Sequence, residues 1–143
     1  MTGNSESEKV SGGCLCGAVR YELEPPLRPV VACHCLRCRR ATGHYVSATA
    51  VPRERFHLIE SDALKWYRSS PHAERGFCGV CGSNLFWSAH GRDTISIMAG
   101  SIDGETGLRT VAHICVAQKG DYYDLNPSEP QYQAGDYPSP WSS

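Results

Sequence analysis

The residues best suited to chemistry in this sequence are its eight cysteines, seven of which fall into three closely spaced groups. Residues 14–16 read CLC, residues 33–38 read CHCLRC and residues 78–82 read CGVCG. A thiolate is both a nucleophile and a strong ligand for soft metal ions. In a reducing compartment, cysteines grouped in this way indicate metal binding, and we predict two zinc ions per chain.

The first site is predicted to combine two distant pairs. Residues two apart on a strand face the same way, so Cys14 and Cys16 could approach one ion. The CxxCG sequence is typical of zinc ribbons, in which two sulfurs lie on one turn and a glycine relieves the backbone. Joining the pairs gives a closed four-thiolate site of Cys14, Cys16, Cys78 and Cys81. A closed site is structural, because its binding energy is folding energy.

The second site is predicted to be catalytic and to use Cys33, Cys35 and Cys38, which lie in one tight loop. Three protein ligands plus an open position are typical of a reactive zinc. Zinc with three thiolates carries a formal charge of −1, so it is a poor Lewis acid and suits a fourth, nucleophilic thiolate. Two alternatives remain. His34 or His44 could fill the fourth position, or the cysteines could form disulfides, which such close spacing would strain.

Other residues near these groups have both plain and functional interpretations. Arg37, Arg39 and Arg40 could form a solvated basic turn or a clamp for an anion beside the metal. We assign Arg39 and Arg40 to the binding of a substrate or cofactor. Cys115 stands alone in an apolar stretch and is interpreted as a small buried hydrophobic residue. His113 is interpreted as a structural histidine.

The elements that must position these groups are predicted to be strands. Fourteen glycines and nine prolines in 143 residues favour turns and short strands over long helices. Residues 18–24 and 94–99 alternate between apolar and polar side chains, as a half-buried strand does. Residues 39–42 could form one helical turn ended by Gly43. The aromatic residues Trp66, Tyr67, Phe86 and Trp87 are expected in the core. Further strands are predicted at 45–51, 56–59, 64–67, 73–77, 85–87 and 111–116. The fold class is therefore all-β.

Composition limits the organisation and the partners. We expect a flexible tail at 1–10, one zinc-binding domain at 11–126 and a second tail, rich in proline and serine, at 127–143. The net charge of −1 does not resemble the basic footprint of a nucleic-acid binder. No apolar run is long enough to cross a bilayer and the first residues do not resemble a signal peptide, so we expect a cytoplasmic protein without membrane contact.

Several segments together resemble one known family. They are residues 12–21 (GGCLCGAVRY), the CHCxxCR pattern from residue 33 with Gly43, the FCxxCGSxLF pattern at 77–86, residues 99–103 (AGSID) and residues 111–114 (VAHI). This pattern closely resembles the glutathione-dependent formaldehyde-activating (GFA) family, which includes centromere protein V. The resemblance covers about residues 11–125.

The resemblance implies a β-tent fold of small antiparallel sheets, a structural zinc on the four-cysteine set and a second zinc on the three-cysteine set. It also implies a carbon–sulfur lyase that condenses glutathione with formaldehyde to S-hydroxymethylglutathione. The family's Lys-x-Pro-Trp element is replaced here by KGDYY at residues 119–123. The alternative function is a non-catalytic zinc-ribbon module that binds another protein.

Overall fold

The computed structural model describes residues 8–135. Within this range, ten short strands and one seven-residue helix account for most of the regular structure. The helix is α1 (Leu36–Thr42). The strands are β1 (Val10–Gly13), β2 (Arg20–Leu23), β3 (Val30–Cys33), β4 (Val46–Pro52), β5 (Phe56–Glu60), β6 (Leu64–Ser70), β7 (Ala73–Cys78), β8 (Asn84–Ala89), β9 (Thr94–Met98) and β10 (Thr110–Ile114).

The strands form two sheets, and the prediction of an all-β fold is confirmed. One sheet has three strands in the order β1-β2-β5, and the other has seven in the order β10-β3-β4-β9-β8-β7-β6. All pairs are antiparallel except β10 and β3, which run parallel with Ile114 opposite Cys33. The parallel pair was not predicted, because the two strands are separated by most of the chain. No helix in this part of the chain has the length and apolar character that a membrane crossing needs.

The main core lies between the two sheets. Tyr21 of β2 is buried and its ring meets the ring of Phe86 of β8 edge to face, with the centroids 5.3 Å apart. Val51, Ile95 and Ile97 are buried in the same cluster. Burial of these apolar side chains is the main driving force that holds one sheet against the other.

The aromatic residues of β6 differ from the prediction. Phe86 is fully buried, but Trp66 is 40% exposed and Tyr67 is 65% exposed. The reason is the position of β6 at the edge of the seven-stranded sheet, where it has a single neighbouring strand. Trp66 still covers Phe86, with ring centroids 6.1 Å apart.

The two ends of the chain lie against the domain as far as the structure describes them. Residues 1–7 and 136–143 of the predicted tails lie outside the described range. Val10 already belongs to β1. The segment 130–134 makes backbone hydrogen bonds along β10 and the turn after it: His113 N donates to Pro130 O at 2.9 Å and Cys115 N to Ala134 O at 2.9 Å.

Candidate metal centres

The structure brings the first predicted set of cysteines together at the junction of the two sheets. Cys14 and Cys16 directly follow β1, Cys78 ends β7 and Cys81 lies in the turn before β8. The four Sγ atoms lie within 4.8 Å of one another. Cys16 Sγ is 3.7 Å from that of Cys14 and 3.8 Å from that of Cys78. Metal–sulfur bonds of about 2.3 Å in a tetrahedron require sulfurs about 3.8 Å apart.

Hydrogen bonds at this four-cysteine site favour thiolates. The backbone N–H of Val19 donates to Cys14 Sγ at 3.2 Å, and those of Val80 and Cys81 donate to Cys78 Sγ at 3.3 and 3.4 Å. The hydroxyl of Ser83 lies 3.2 Å from Cys81 Sγ, and this contact, with backbone donors, lowers the pKa of Cys81 to about 5. Donors aimed at sulfur stabilise its anionic form, which is the form that binds a metal.

The second predicted set also comes together, at one end of the seven-stranded sheet. Cys33 ends β3, Cys35 precedes α1 and Cys38 lies within the helix. Their Sγ atoms lie within 4.8 Å of one another, and those of Cys35 and Cys38 are 3.3 Å apart. Cys35 Sγ accepts a hydrogen bond from Cys38 N at 3.4 Å, so one ligand also caps the helix.

Contacts among these sulfurs separate their pKa values. Contacts with Cys115, Cys33 and Cys38 lower the pKa of Cys35. The pKa of Cys33 is raised, mainly by contact with Cys115 and to a smaller extent by contact with Cys35. Contacts with Cys33 and Cys35 raise the pKa of Cys38. The shifts have opposite directions because these thiols interact with one another, so a negative charge at one sulfur is stabilised by its neighbours.

Cys115 was interpreted wrongly from the sequence. It is half-buried, and its side chain contacts Cys33 and Cys35 of the three-cysteine site. It follows β10 directly and adopts a left-handed backbone, with φ of 56°. Within residues 8–135 it is the one residue other than glycine with a positive φ. Apolar neighbours in the sequence suggested burial, but the parallel pairing of β10 with β3 decides its position.

Neither histidine lies among the gathered sulfurs, which argues against a histidine as the fourth ligand. His34 Nδ1 lies 2.6 Å from the hydroxyl of Tyr123, and its Nε2 lies 2.9 Å from Nδ1 of His113. Both ring nitrogens are therefore engaged away from the sulfurs. Burial, with the nearby His113, lowers the pKa of His34 to about 4, so the ring is neutral at pH 7. His44 packs against Tyr45 and Tyr123 rather than the cluster.

His113 has the structural role that we predicted. It is 4% exposed, and its second nitrogen, Nε2, lies 2.7 Å from a carboxylate oxygen of Glu129. A chain of polar groups, buried at its two histidines, thus runs from Tyr123 through His34 and His113 to Glu129. It fixes the loop that holds Cys33 and Cys35.

Arg75 is a functional candidate that sequence analysis missed. It lies on β7 and is 7% exposed, and its Nη2 lies 3.5 Å from Cys38 Sγ. Its Nη1 is buried without a hydrogen-bond partner. No carboxylate within residues 8–135 forms an ion pair with it. The described polar contact of this buried guanidinium is a sulfur. A buried cation needs a negative partner, and a cluster of thiolates would supply that negative charge.

The arginines after Cys38 lie on the exposed face of α1. Arg39 and Arg40 line a surface pocket of about 240 Å³ together with Leu36 and Tyr122. Arg39 Nη1 donates to Gln118 O at 3.5 Å. Arg37 is held elsewhere, because its Nε donates to Ser69 O at 3.1 Å. The pocket thus combines two cations with an aromatic side chain.

Both clusters fit zinc in the chemistry of their donors. Each consists of soft sulfur ligands with nearby N–H donors. The sulfur separations of 3.7 and 3.8 Å at the four-cysteine site match a tetrahedral ion, whereas Cys35 and Cys38 lie slightly closer together, at 3.3 Å. The unpartnered nitrogen of Arg75 beside the second cluster adds to this fit, since a cation needs a negative partner when it is buried.

The fold and these clusters define a β-sheet protein with two cysteine sites that could hold metal ions. Residues 9–118 match the family described as glutathione-dependent formaldehyde-activating enzyme. The chain belongs to this family.

Two relatives illustrate the similarity. Uncharacterized lyase C29B12.13 of Schizosaccharomyces pombe is 31% identical over 121 residues, which cover 80% of this chain and 83% of the yeast protein. A crystal structure of a Rhodobacter sphaeroides protein superposes with a TM-score of 0.57 at 19% identity, covering 85% of this chain and 98% of that one. The structural likeness confirms the fold, and the family and the yeast lyase support an enzyme.

Proposed function

We propose that this protein is a zinc-dependent enzyme of the carbon–sulfur lyase class that acts on the adduct of a small thiol and a small aldehyde. Glutathione with formaldehyde, or a related aldehyde, is the proposed substrate pair. The observation that carries the proposal is the gathering of the Cys33, Cys35 and Cys38 sulfurs within 4.8 Å at the start of helix α1, where the two residues after Cys38 line a cationic pocket.

Thiol activation is the chemistry that this site suits. Zinc held by the three sulfurs would keep an incoming thiol in its thiolate form at neutral pH. The thiolate sulfur then forms a bond to the carbonyl carbon while the carbonyl π bond breaks. The proton lost by the thiol is regained by the carbonyl oxygen, so the product is a hydroxymethyl thioether. The reverse reaction is the lyase direction.

The pocket on α1 suits the rest of a glutathione molecule. Glutathione carries two carboxylates, and Arg39 and Arg40 present two guanidinium groups to the pocket. Arg side chains bind carboxylates in a bidentate manner. Because Arg40 is exposed and Arg39 is only half-buried, each contact contributes little alone, and the sulfur supplies most of the affinity.

Calorimetric titration of the zinc-loaded protein with glutathione tests this function. We expect binding by the wild type and its loss in Cys35→Ser. S-Methylglutathione keeps both carboxylates but has no thiol, so we expect it to bind at least about tenfold more weakly, a loss of about 1.4 kcal/mol. Arg40→Met should weaken glutathione binding by a factor of about 2–5, as an exposed ion pair does. Arg92→Met, which alters an exposed arginine over Trp87, is the matched control and should change nothing.

Two results would contradict the proposal. Equal binding of glutathione and S-methylglutathione would show that the sulfur does not reach the metal. Absence of binding by the wild type at millimolar glutathione would favour the protein-binding module instead.

A further inference from the structure

The three-cysteine site has one ligand fewer than a tetrahedral ion requires, and a further thiol lies beside it. Structural zinc sites take four ligands, whereas Cys33, Cys35 and Cys38 supply three. The histidines in the same loop are engaged elsewhere, as shown above. Cys115 directly follows Ile114, which is paired with Cys33, and its thiol interacts with the thiols of Cys33 and Cys35.

Cys115 is placed there by several long-range contacts. β10 runs parallel to β3, which sets Ile114 opposite Cys33 and brings Cys115 to the start of the cysteine loop. His34 N donates to Ile114 O at 3.0 Å, and Leu36 N donates to the side-chain oxygen of Gln118 at 2.8 Å. These bonds tie residues 34–36 to residues 114–118 on both sides of Cys115.

The charge around the cluster is consistent with a fourth thiolate. Zinc with four thiolates has a formal charge of −2, and the buried guanidinium of Arg75 lies against Cys38 with one nitrogen unpartnered. A buried cation is stabilised by a nearby negative charge, and a second negative charge at the cluster increases this stabilisation.

We propose that Cys115 is the fourth thiolate ligand of the metal bound by Cys33, Cys35 and Cys38. Cys115 lies outside the set of sulfurs that are mutually within 4.8 Å, so metal binding must draw it toward the other three.

This assignment changes how a substrate thiol enters the site. With the metal bound, an entering thiol would take the place of Cys115 as the fourth sulfur ligand. The Cys115 sulfur would accept the proton of the entering thiol and would leave as a neutral thiol. This exchange rests on the proposed function, whereas the ligand assignment does not.

The assignment is tested with the full chain loaded with cadmium-113 at both sites and examined by NMR. We expect two resonances in the wild type, both in the region typical of four sulfur ligands. In Cys115→Ser and Cys115→Ala, one resonance should move to the region of three sulfur ligands. The other resonance, from the four-cysteine site, should stay in place and so acts as an internal reference for correct folding.

Affinity gives a second measurement. Competition with a chromophoric chelator should show that Cys115→Ala binds its weaker metal ion at least about tenfold less tightly. A wild-type resonance already in the three-sulfur region, or spectra that both Cys115 variants leave unchanged, would overturn the assignment.

Glutathione separates the two proposals. Added to cadmium-loaded Cys115→Ala, glutathione should return the shifted resonance to the four-sulfur region, because its own sulfur takes the vacated position. If the resonance does not return, the proposed function fails while the assignment of Cys115 stands.

Discussion

At the scale of single residues, the environment of the second cluster is set by one buried charge. Arg75 is removed from water, and its described polar contact is Cys38 Sγ at 3.5 Å. A buried guanidinium without an anion is costly, and so is a buried group of thiolates without a cation. Each group therefore lowers the energy of the other, and we infer that Arg75 is a positioning residue for the metal ligands.

Replacing Arg75 should weaken metal binding at the second site without unfolding the protein. We expect Arg75→Met to reduce the affinity of that site by about 10- to 100-fold, the usual range for a group that contacts a metal ligand. Arg75→Lys keeps the positive charge and should lose less of the metal affinity. The measurement is chelator competition, with circular dichroism as the check on folding. Unchanged affinity in a folded Arg75→Met protein would show that the guanidinium is only a packing group.

At the scale of elements, helix α1 controls the second site. Cys35 caps its first turn, Cys38 is buried on its inner face and Arg40 lies on its exposed side. The helix ends at Gly43, which has φ of 83° and donates its N–H to Arg39 O at 2.7 Å. The helix has only seven residues, so the hydrogen bond at Gly43 is a large part of its stability. The stability of the helix in turn fixes the positions of the ligands and of the pocket.

Gly43→Ala should lower the free energy of unfolding by about 1 kcal/mol, because alanine is strained in the left-handed region. Strain is the expected cause, since a Cβ at this position meets no atom within 4 Å. Gly100→Ala is the matched control, because Gly100 also has open space but no positive φ. The Gly100→Ala substitution should leave the free energy of unfolding unchanged or raise it slightly. Denaturant unfolding measures both, and an equal loss in both variants would contradict the role of the helix end.

The sequence predicts those parts of the site that depend on local spacing. The CxC, CxCxxC and CxxC patterns specify which sulfurs can share an ion, and the structure gathers the same seven. It also ends the helix at Gly43, as predicted. Arg75 and Cys115 could not be predicted, because they reach Cys38 and Cys33 through strand pairing between distant parts of the chain. No local pattern encodes a parallel pairing of β3 with β10.

At the scale of the whole molecule, the four-cysteine site joins the two sheets. Cys14 follows a strand of the three-stranded sheet, and Cys78 ends a strand of the seven-stranded sheet. Both sulfurs belong to the hydrophobic core that lies between the sheets. A metal bound there would close the long chain segment between residues 16 and 78, and its binding energy would be coupled to folding. The three-cysteine site lies at the end of one sheet and makes no such link.

The two sites should therefore respond differently to loss of a ligand. We expect the wild type to hold close to two zinc ions per chain. Cys78→Ser should unfold the domain or make it insoluble, because the cysteine is fully buried and its site joins both sheets. Cys35→Ser should remain folded with about one zinc ion, since only the cluster at the end of the seven-stranded sheet is lost. Metal analysis and thermal unfolding measure both effects. Equal stability of the two variants would contradict the role of the four-cysteine site in holding the sheets together. So would a wild type whose resistance to heat did not change when both metals were removed by a chelator.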